Sequence, residues 1–203
     1  MSASQTARLS DELEQWLNDE ASDKTLGGLV GAFGEKSFAI LFVLLLGVPA
    51  LPIPTGGATH VFEVIAALVA LQLVVGRRTV WLPTRWQGLK LGGERQQRFL
   101  TSLMRFIRRL ERFSRPRLTF VFHHRLSDVV FGLLVIGGSV AAFVAPPFSG
   151  LDTLPALGVV LVALGVLLED ALIAAAGVLL GIVGVALEVV LGAAAVHGVE
   201  SLL

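Results

Sequence analysis

Ionisable side chains occur inside or beside long apolar stretches of this chain. His60 and Glu63 stand near the start of one stretch, Asp152 precedes another, and Glu188 lies within the last. Charged groups are costly in a membrane, and where they occur there they commonly line a path for protons or ions. His60 and Glu63 are three residues apart, so on a helix starting near Thr59 they share a face. A carboxylate so placed orients or charges the imidazole. These residue types predict a proton or cation pathway.

The polar residues follow two breaks in the apolar sequence. Residues 49–57 hold three prolines, among them Pro54, and Pro147 belongs to a second break before Gly150. Proline leaves backbone carbonyls without helical donors, and such backbone is tolerated at membrane depth only where protein or water surrounds it. We therefore expect both prolines to border the pathway.

A plainer interpretation stays open for the same residues. If the breaks are loops outside the lipid, His60, Glu63 and Asp152 are solvated helix ends, and Thr59 or Asp152 acts as a helix cap. Glu188 is then a buried group or a contact between copies of the chain. Glu169 and Asp170 predict a short solvated turn, with cation binding as the alternative.

Five apolar blocks must position these residues. The chain is 54 % hydrophobic and 16 % charged, with a mean hydropathy of +0.77, against about a quarter charged residues in soluble domains. The blocks cover residues 38–53, 61–75, 129–148, 154–168 and 171–196. Only the third and fifth reach the roughly 20 residues that cross a bilayer unaided, so the others thin the bilayer, lean on neighbours or are re-entrant. The pattern predicts an all-α, polytopic membrane protein.

Charge is strongly segregated along the chain. Residues 77–125 hold 13 basic and 2 acidic side chains, whereas residues 126–203 hold no Lys or Arg. Lysine and arginine in short loops mark the cytoplasmic side of a membrane. We therefore expect residues 77–125 and the acidic N-terminal segment to be cytoplasmic.

An internal duplication is predicted from an ungapped match of residues 37–78 with residues 130–171. Pro54 falls on Pro147, Gly57 on Gly150, and both copies share the run Leu-Val-Ala-Leu. The two units are helical hairpins, either full or re-entrant, and such repeats typify transporters with a site where the repeats meet. The predicted organisation is an N-terminal segment at 1–36, repeat 1 at 37–78, a basic segment at 79–128, and repeat 2 plus a last transmembrane helix at 129–203.

The basic segment contains a predicted amphipathic helix. Phe99, Leu103, Phe106, Leu110 and Phe113 form an apolar stripe at spacings of four and three. A basic helix beside membrane segments most often lies in the interface and pairs with anionic headgroups, and nucleic-acid binding is not expected because the aromatic residues lie on the stripe. The predicted lipid contacts are Arg98, Arg105, Arg108, Arg109, Arg112 and Arg115.

Little in the sequence indicates an enzyme, a metal site or a bound cofactor. The chain lacks a phosphate-binding glycine loop, a nucleophile elbow and an HExxH motif, and it has no cysteine. His123 and His124 make a weak metal site. Gly177 and Gly181 predict close helix packing, within the chain or in a homo-oligomer. We expect no cofactor, no metal and no catalytic residues.

Several segments resemble the ExoD family of exopolysaccharide-synthesis membrane proteins. They are GEKSF at 34–38, ALVALQLVVGRRTVWLP at 67–83, RRLERFSRPR at 108–117 and ALGVLLEDALIAAAGVLLG at 163–181. The resemblance implies a multi-pass protein of the bacterial inner membrane, linked to polysaccharide machinery. It supplies no reaction and no catalytic residues. The expected function is a small transporter for an ion or a lipid-linked intermediate; a non-transporting accessory subunit is the alternative.

Overall fold

The computed structural model describes residues 9–19, 23–51, 59–89, 94–115, 117, 119, 122, 124–145 and 150–200, with backbone alone for 94–100 and 195–200. These residues form helices and no β-strand. The helices are α1 (Leu9–Asn18), α2 (Leu26–Phe33), α3 (Ser37–Leu46), α4 (His60–Val75), α5 (Thr84–Gln87), α6 (Glu94–Phe113), α7 (Arg125–Val144), α8 (Thr153–Leu167) and α9 (Ala171–Glu200). The all-helical prediction is confirmed for the part of the chain described.

Three helical runs are long and apolar enough to cross a membrane. They are Leu26–Leu46, Arg125–Val144 and Ala171–Ala194, of 21, 20 and 24 residues. The prediction that the first apolar segment is too short to cross is therefore wrong. Thr25 caps α2 by accepting a hydrogen bond from the Gly28 amide, and a 3₁₀ turn at Gly34–Lys36 joins α2 directly to α3. That continuation lengthens the run toward its N-terminus.

The core is built mainly from α3, α4, α7 and α8. Helix α3 packs on α4 and α8, and α7 packs on α4 and α8. Helix α3 supplies much of the buried volume: Phe42 and Leu46 are fully buried, and the Phe42 ring meets Phe131 of α7 edge-on, with ring centroids 5.4 Å apart. Because α3 is apolar all round, neighbours can surround it, as expected of a central helix.

Glycines let α8 and α9 pack closely. A Cβ atom built on Gly158 would lie 2.7 Å from the Gly181 Cα, and one on Gly177 would lie 2.7 Å from the Gly158 carbonyl oxygen. No side chain fits at these positions without moving the backbone. The small residues at 177 and 181 thus serve a contact inside the chain, which is one of the two predicted uses.

Helices α1 and α6 cover one end of the core. Ile107 of α6 is 2 % exposed, and Leu103, Met104 and Leu110 pack partly buried against the same core as Leu9 and Leu13 of α1. Phe106 and Phe113, which were predicted to share the apolar stripe, are 37 % and 79 % exposed. The buried edge of α6 therefore runs through Ile107, because α1 and the core cover only that side.

Candidate functional site

Antiparallel packing brings the starts of α4 and α8 close to the end of α7 and to α9. Within the α4–α7 pair, the His60 ring lies 5.0 Å from the Phe143 ring, centroid to centroid. Within the α8–α9 pair, a Cβ atom on Gly184 would lie 2.7 Å from Pro155 Cδ. Glu188 is one turn beyond Gly184, and Asp152 is three residues before Pro155, so the two acidic residues lie at the same end of the helix pair.

Glu63 is the most deeply buried ionisable group of the described chain. Its side chain is 0 % exposed, and its Oε2 lies 2.8 Å from Nδ1 of His60, whose side chain is 26 % exposed. Thr59, also buried, hydrogen-bonds to the same carboxylate. Among the described residues Glu63 Oε1 has no hydrogen-bond partner. The predicted pairing of His60 with Glu63 on one helical face is present in the structure.

Asp152 and Glu188 lie within electrostatic reach of that pair. Asp152 interacts electrostatically with Glu63 and with Glu188, and Glu63 with Glu188. Glu188 Oε1 is buried and, like Glu63 Oε1, without a hydrogen-bond partner in the described part of the chain. Buried polar atoms are normally satisfied. Two unsatisfied carboxylate oxygens in one cluster leave acceptor positions for a proton, a cation or water.

We refer to Thr59, His60, Glu63, Asp152 and Glu188 together as the polar site. Three carboxylates and one imidazole offer oxygen and nitrogen donors, but no group of three or more His, Asp or Glu side chains in the described residues has the geometry of a metal site. Carboxylates and an imidazole are groups that can take up a proton or bind a small cation. Pro54 and Pro147, predicted to border the pathway, lie outside the described residues.

Asp170 forms a second acidic centre, whose burial the sequence did not indicate. Its side chain is 1 % exposed, and its Oδ2 accepts a 2.9 Å hydrogen bond from the Arg115 backbone N–H. Its Oδ1 accepts a 3.0 Å hydrogen bond from the Leu172 N–H. The guanidinium of Arg117 lies 3.6 Å from Oδ2. The predicted solvated turn is therefore wrong for Asp170, because the chain after α6 covers it.

The electrostatics of Asp170 follow from these contacts. Burial alone would raise the pKa of this carboxyl, but the N–H groups of Arg115 and Leu172 and the charge of Arg117 outweigh burial and hold the pKa below its ordinary value. The backbone N–H of Arg117 also donates to the Glu169 carbonyl over 3.1 Å. Asp170 thus anchors the segment after α6 to the turn between α8 and α9. The burial of Asp170 identifies this role, and the sequence of two adjacent acidic residues gives no sign of that burial.

The predicted lipid contacts on α6 and just after it are mostly exposed. The exposed ones are Arg105, Arg108, Arg109, Arg112 and, beyond the end of the helix, Arg115; for Arg98 only the backbone is described. Arg108 pairs with Glu14 of α1 and lies 4.0 Å from Asp11. At least one predicted lipid contact is therefore already neutralised by the acidic helix α1.

Comparison with known proteins places this membrane-embedded helical fold in a family. The sequence profile described as "Exopolysaccharide synthesis, ExoD" matches residues 9–190. An uncharacterized protein of Synechocystis sp., slr1875, is 35 % identical over 173 residues, which are 84 % of this chain and 81 % of that protein. Protein ExoD of Rhizobium meliloti is 29 % identical over 179 residues, 88 % and 74 % of the two chains.

The chain therefore belongs to the ExoD family, which ties it to exopolysaccharide synthesis. The resemblance found in the sequence is confirmed. No solved structure matches the chain.

Proposed function

We propose that this protein moves a small cation, in the simplest case a proton, across the bacterial inner membrane through the polar site. The observation that carries the proposal is the contact of the buried Glu63 with His60, with Asp152 and Glu188 close enough to act on it electrostatically. Among the described residues, one buried oxygen of Glu63 and one of Glu188 have no hydrogen-bond partner. Buried ionisable groups in membrane helices characteristically line ion and proton paths. His60 is partly exposed, so it connects the buried Glu63 to the outside of the helix bundle.

Charge favours an ion over a lipid-linked intermediate as the transported species. Lipid-linked sugars carry phosphate groups, and three carboxylates in a medium of low dielectric repel a phosphate strongly. The same carboxylates attract cations. A cation flux would influence polysaccharide secretion through the ion or pH balance of the membrane.

The proposed topology has several passes with residues 77–125 on the cytoplasmic side. Helices α4 and α8 have 16 and 15 residues and are about 24 and 22 Å long, shorter than a bilayer core of about 30 Å. Their N-terminal ends, with Thr59 and Asp152, then lie on the opposite side from the arginines, below the membrane surface.

We further propose that α3–α4 and α7–α8 are parallel repeats. If the two repeats are related by symmetry, α3 corresponds to α7 and α4 to α8, so the contact of α3 with α8 corresponds to the contact of α7 with α4. Both of these helix pairs pack together. The same exchange aligns Thr59 with Asp152, each placed at the start of a short helix. The polar site would then lie where the repeats meet, the common position of transporter sites.

An accessory role is the second candidate, and the surface of α6 favours it. Exposed arginines flank the exposed rings of Phe106 and Phe113, a combination suited to anionic lipid headgroups or to an acidic partner in polysaccharide machinery. No catalytic role is proposed. Truncation of α6 would also remove the core contacts of Ile107, so the sharper test replaces the exposed Arg105, Arg109 and Arg112 with Gln. These changes would break an accessory contact and leave cation flux intact.

The deciding experiment combines secretion with flux. A deletion strain receives the wild-type gene, the triple variant His60→Ala, Glu63→Gln, Asp152→Asn, or the control Glu169→Gln, an acidic residue outside the polar site. Secreted polysaccharide is measured by amount and chain length, and proton and K⁺ flux are measured with each purified protein in liposomes. We expect the wild type and Glu169→Gln to restore secretion and conduct, and the triple variant to do neither.

Two results would contradict the proposal. If the triple variant expresses normally and restores secretion, the polar site carries no transport and the accessory role leads. If the wild-type protein in liposomes conducts neither ion while it restores secretion in cells, cation movement is excluded for both ions tested.

A further inference from the structure

A serine outside the polar site is buried in the helix bundle. Ser139 of α7 is 1 % exposed, and its hydroxyl has no hydrogen-bond partner among the described residues. A serine inside a helix can satisfy its hydroxyl at the carbonyl four residues earlier, but Ser139 makes no such bond. Buried polar groups are normally paired, so this hydroxyl indicates a bound species or a partner that changes with the state of the protein.

The register of α4 against α7 places Ser139 opposite Glu63. A Cβ atom built on Gly132 of α7 would lie 3.1 Å from the Ala70 carbonyl oxygen of α4. Ser139 comes seven residues after Gly132, and Glu63 comes seven residues before Ala70. Seven residues are close to two turns, or about 10.5 Å, so each pair shares a helical face. In this antiparallel pair the steps from 132 to 139 and from 70 to 63 run in the same direction.

A second contact fixes the same register. His60 comes three residues before Glu63, Phe143 comes four residues after Ser139, and the two rings are 5.0 Å apart. Glu63 Oε1 and Ser139 Oγ are both buried, and neither has a hydrogen-bond partner in the described part of the chain. Two unpartnered oxygens, one from each helix, therefore lie at the same level of one interface.

The chemistry of these two groups favours a proton over a metal cation. A hydroxyl can both donate and accept a hydrogen bond, so Ser139 can serve a charged carboxylate as donor and a protonated one as acceptor. A buried water bonds about three polar groups and can link the two oxygens. Hard metal cations take about six or more oxygen ligands, and the described residues contain no group of three His, Asp or Glu side chains that could hold one.

We propose that Ser139 and Glu63 form the proton-binding position of the polar site and share one bound water. Uptake transfers a proton from hydronium to Glu63 Oε1, which leaves a neutral carboxyl and one water, and the Ser139 hydroxyl bonds to them in both states. Ser139 is thus a positioning residue for Glu63. The assignment rests on the proposed function, since it names the proton as the cation that the protein moves.

This position is the innermost polar one on the buried faces of α4 and α7. Toward the arginine-rich side, the buried side chains of these two helices are apolar: Ala66, Val69, Ala70 and Leu73 on α4, and Phe131 and Val135 on α7. The ionisable residues of α7 lie in its first turn, about 16 to 21 Å from Ser139, and α3 and α8 contain none. The titratable groups that act on Glu63 are therefore His60, Asp152 and Glu188.

Thermal stability distinguishes a hydroxyl that serves Glu63 from one that serves nothing. Removing an unpartnered buried hydroxyl should leave the thermal midpoint unchanged or raise it, whereas removing a partner of Glu63 leaves a buried carboxylate oxygen unsatisfied. We expect Ser139→Ala to lower the thermal midpoint of the full chain in detergent. In a Glu63→Leu background, which has no carboxylate to leave unsatisfied, Ser139→Ala should not lower it. Ser127→Ala, on the same helix near its start, is the control.

Infrared difference spectra between acidic and alkaline buffer report the bound proton, with the full chain in lipid bilayers. Protonated Glu63 gives a carboxyl carbonyl band, which is identified by its loss in Glu63→Gln. We expect Ser139→Ala to shift this band to higher frequency, because a hydrogen bond to the carboxyl is lost, and Ser127→Ala to leave it in place. Addition of Na⁺ or K⁺ at constant pH should not change its amplitude.

Three results would overturn the assignment. An unmoved Glu63 band or an unlowered thermal midpoint in Ser139→Ala would exclude Ser139 from the polar site, while proton flux in liposomes would still decide the proposed function. The absence of a Glu63 band in the wild type would exclude proton binding there. Loss of the band on addition of Na⁺ or K⁺ would assign the position to a metal cation. A Ser139-dependent band in a protein that conducts no protons would confirm the binding position and contradict the proposed function.

Discussion

The buried carboxylate of Asp170 accepts a hydrogen bond from the backbone N–H of Arg115, across 2.9 Å and 55 positions of sequence. Arg115 is two residues beyond the end of α6, and Asp170 directly precedes α9. The contact therefore fixes the chain at the end of the arginine-rich helix to the turn between α8 and α9. A structural carboxylate at this point orients α6 relative to the core without help from lipid.

Replacing Asp170 should weaken this attachment. Asp170→Asn removes the charge that faces Arg117 and the N–H donors, and hydrogen bonds to a charged acceptor contribute about 2 kcal/mol. We expect a lower thermal midpoint in detergent and faster hydrogen exchange in residues 113–117. Glu169→Gln, whose side chain makes none of these contacts, is the control. Unchanged exchange in Asp170→Asn would show that Arg115 is held by other contacts.

The same carboxylate predicts a pH dependence. Its pKa in the folded protein lies below the ordinary aspartate value of 3.8, so its contribution is fully present above the unfolded-state pKa and is lost as the pH falls through the folded-state pKa. The gap in thermal midpoint between the wild type and Asp170→Asn should stay constant from pH 7 to pH 5. It should narrow below about pH 4. A gap that narrows already near pH 6 would contradict the lowered pKa.

Glycine packing between α8 and α9 predicts position-specific costs. Gly158→Ala places a methyl group 2.7 Å from the Gly181 Cα, and overpacking of this kind costs about 1–3 kcal/mol. Gly192→Ala, in open space on α9, should be neutral or slightly stabilising, because alanine favours a helix more than glycine. Thermal midpoints of the two variants test this. Equal midpoints would mean that the two helices separate easily.

The sequence predicted the elements better than their partners. The apolar blocks identified α4, α7, α8 and α9, and the three-residue spacing predicted the contact between His60 and Glu63, because both are local patterns. Prediction from the sequence failed for Asp170, because its burial depends on residues distant in the chain. It also failed for the first membrane run, because the length of that run depends on how the turn at Gly34 joins two short helices. The nearness of Glu188 to Asp152 also depends on tertiary packing, since the glycine contacts of α8 with α9 set the register.

Helix α1 is joined to α6 by specific hydrogen bonds between Ser10 and Glu111. The Ser10 backbone N–H donates to Glu111 Oε1 over 3.0 Å, and the Ser10 hydroxyl donates to Oε2 over 2.5 Å. Glu111→Gln should loosen α1, because the charged acceptor of both bonds is lost. The measurement is hydrogen exchange in residues 9–18. We expect a clear increase in Glu111→Gln.

A double-mutant cycle separates this contact from the ion pairs of α1. Ser10→Ala and Glu111→Gln should be strongly non-additive in thermal stability, with a coupling of about 1–2 kcal/mol, whereas Ser10→Ala and Glu14→Gln should be nearly additive. The contact between Glu14 and Arg108 is exposed on both sides, so added salt should weaken it. Salt should leave the half-buried coupling of Ser10 with Glu111 largely unchanged. If salt abolishes the coupling of Ser10 with Glu111 as it weakens the contact of Glu14 with Arg108, α1 is held by general charge attraction. Anionic lipid headgroups would then compete with α1 for Arg108.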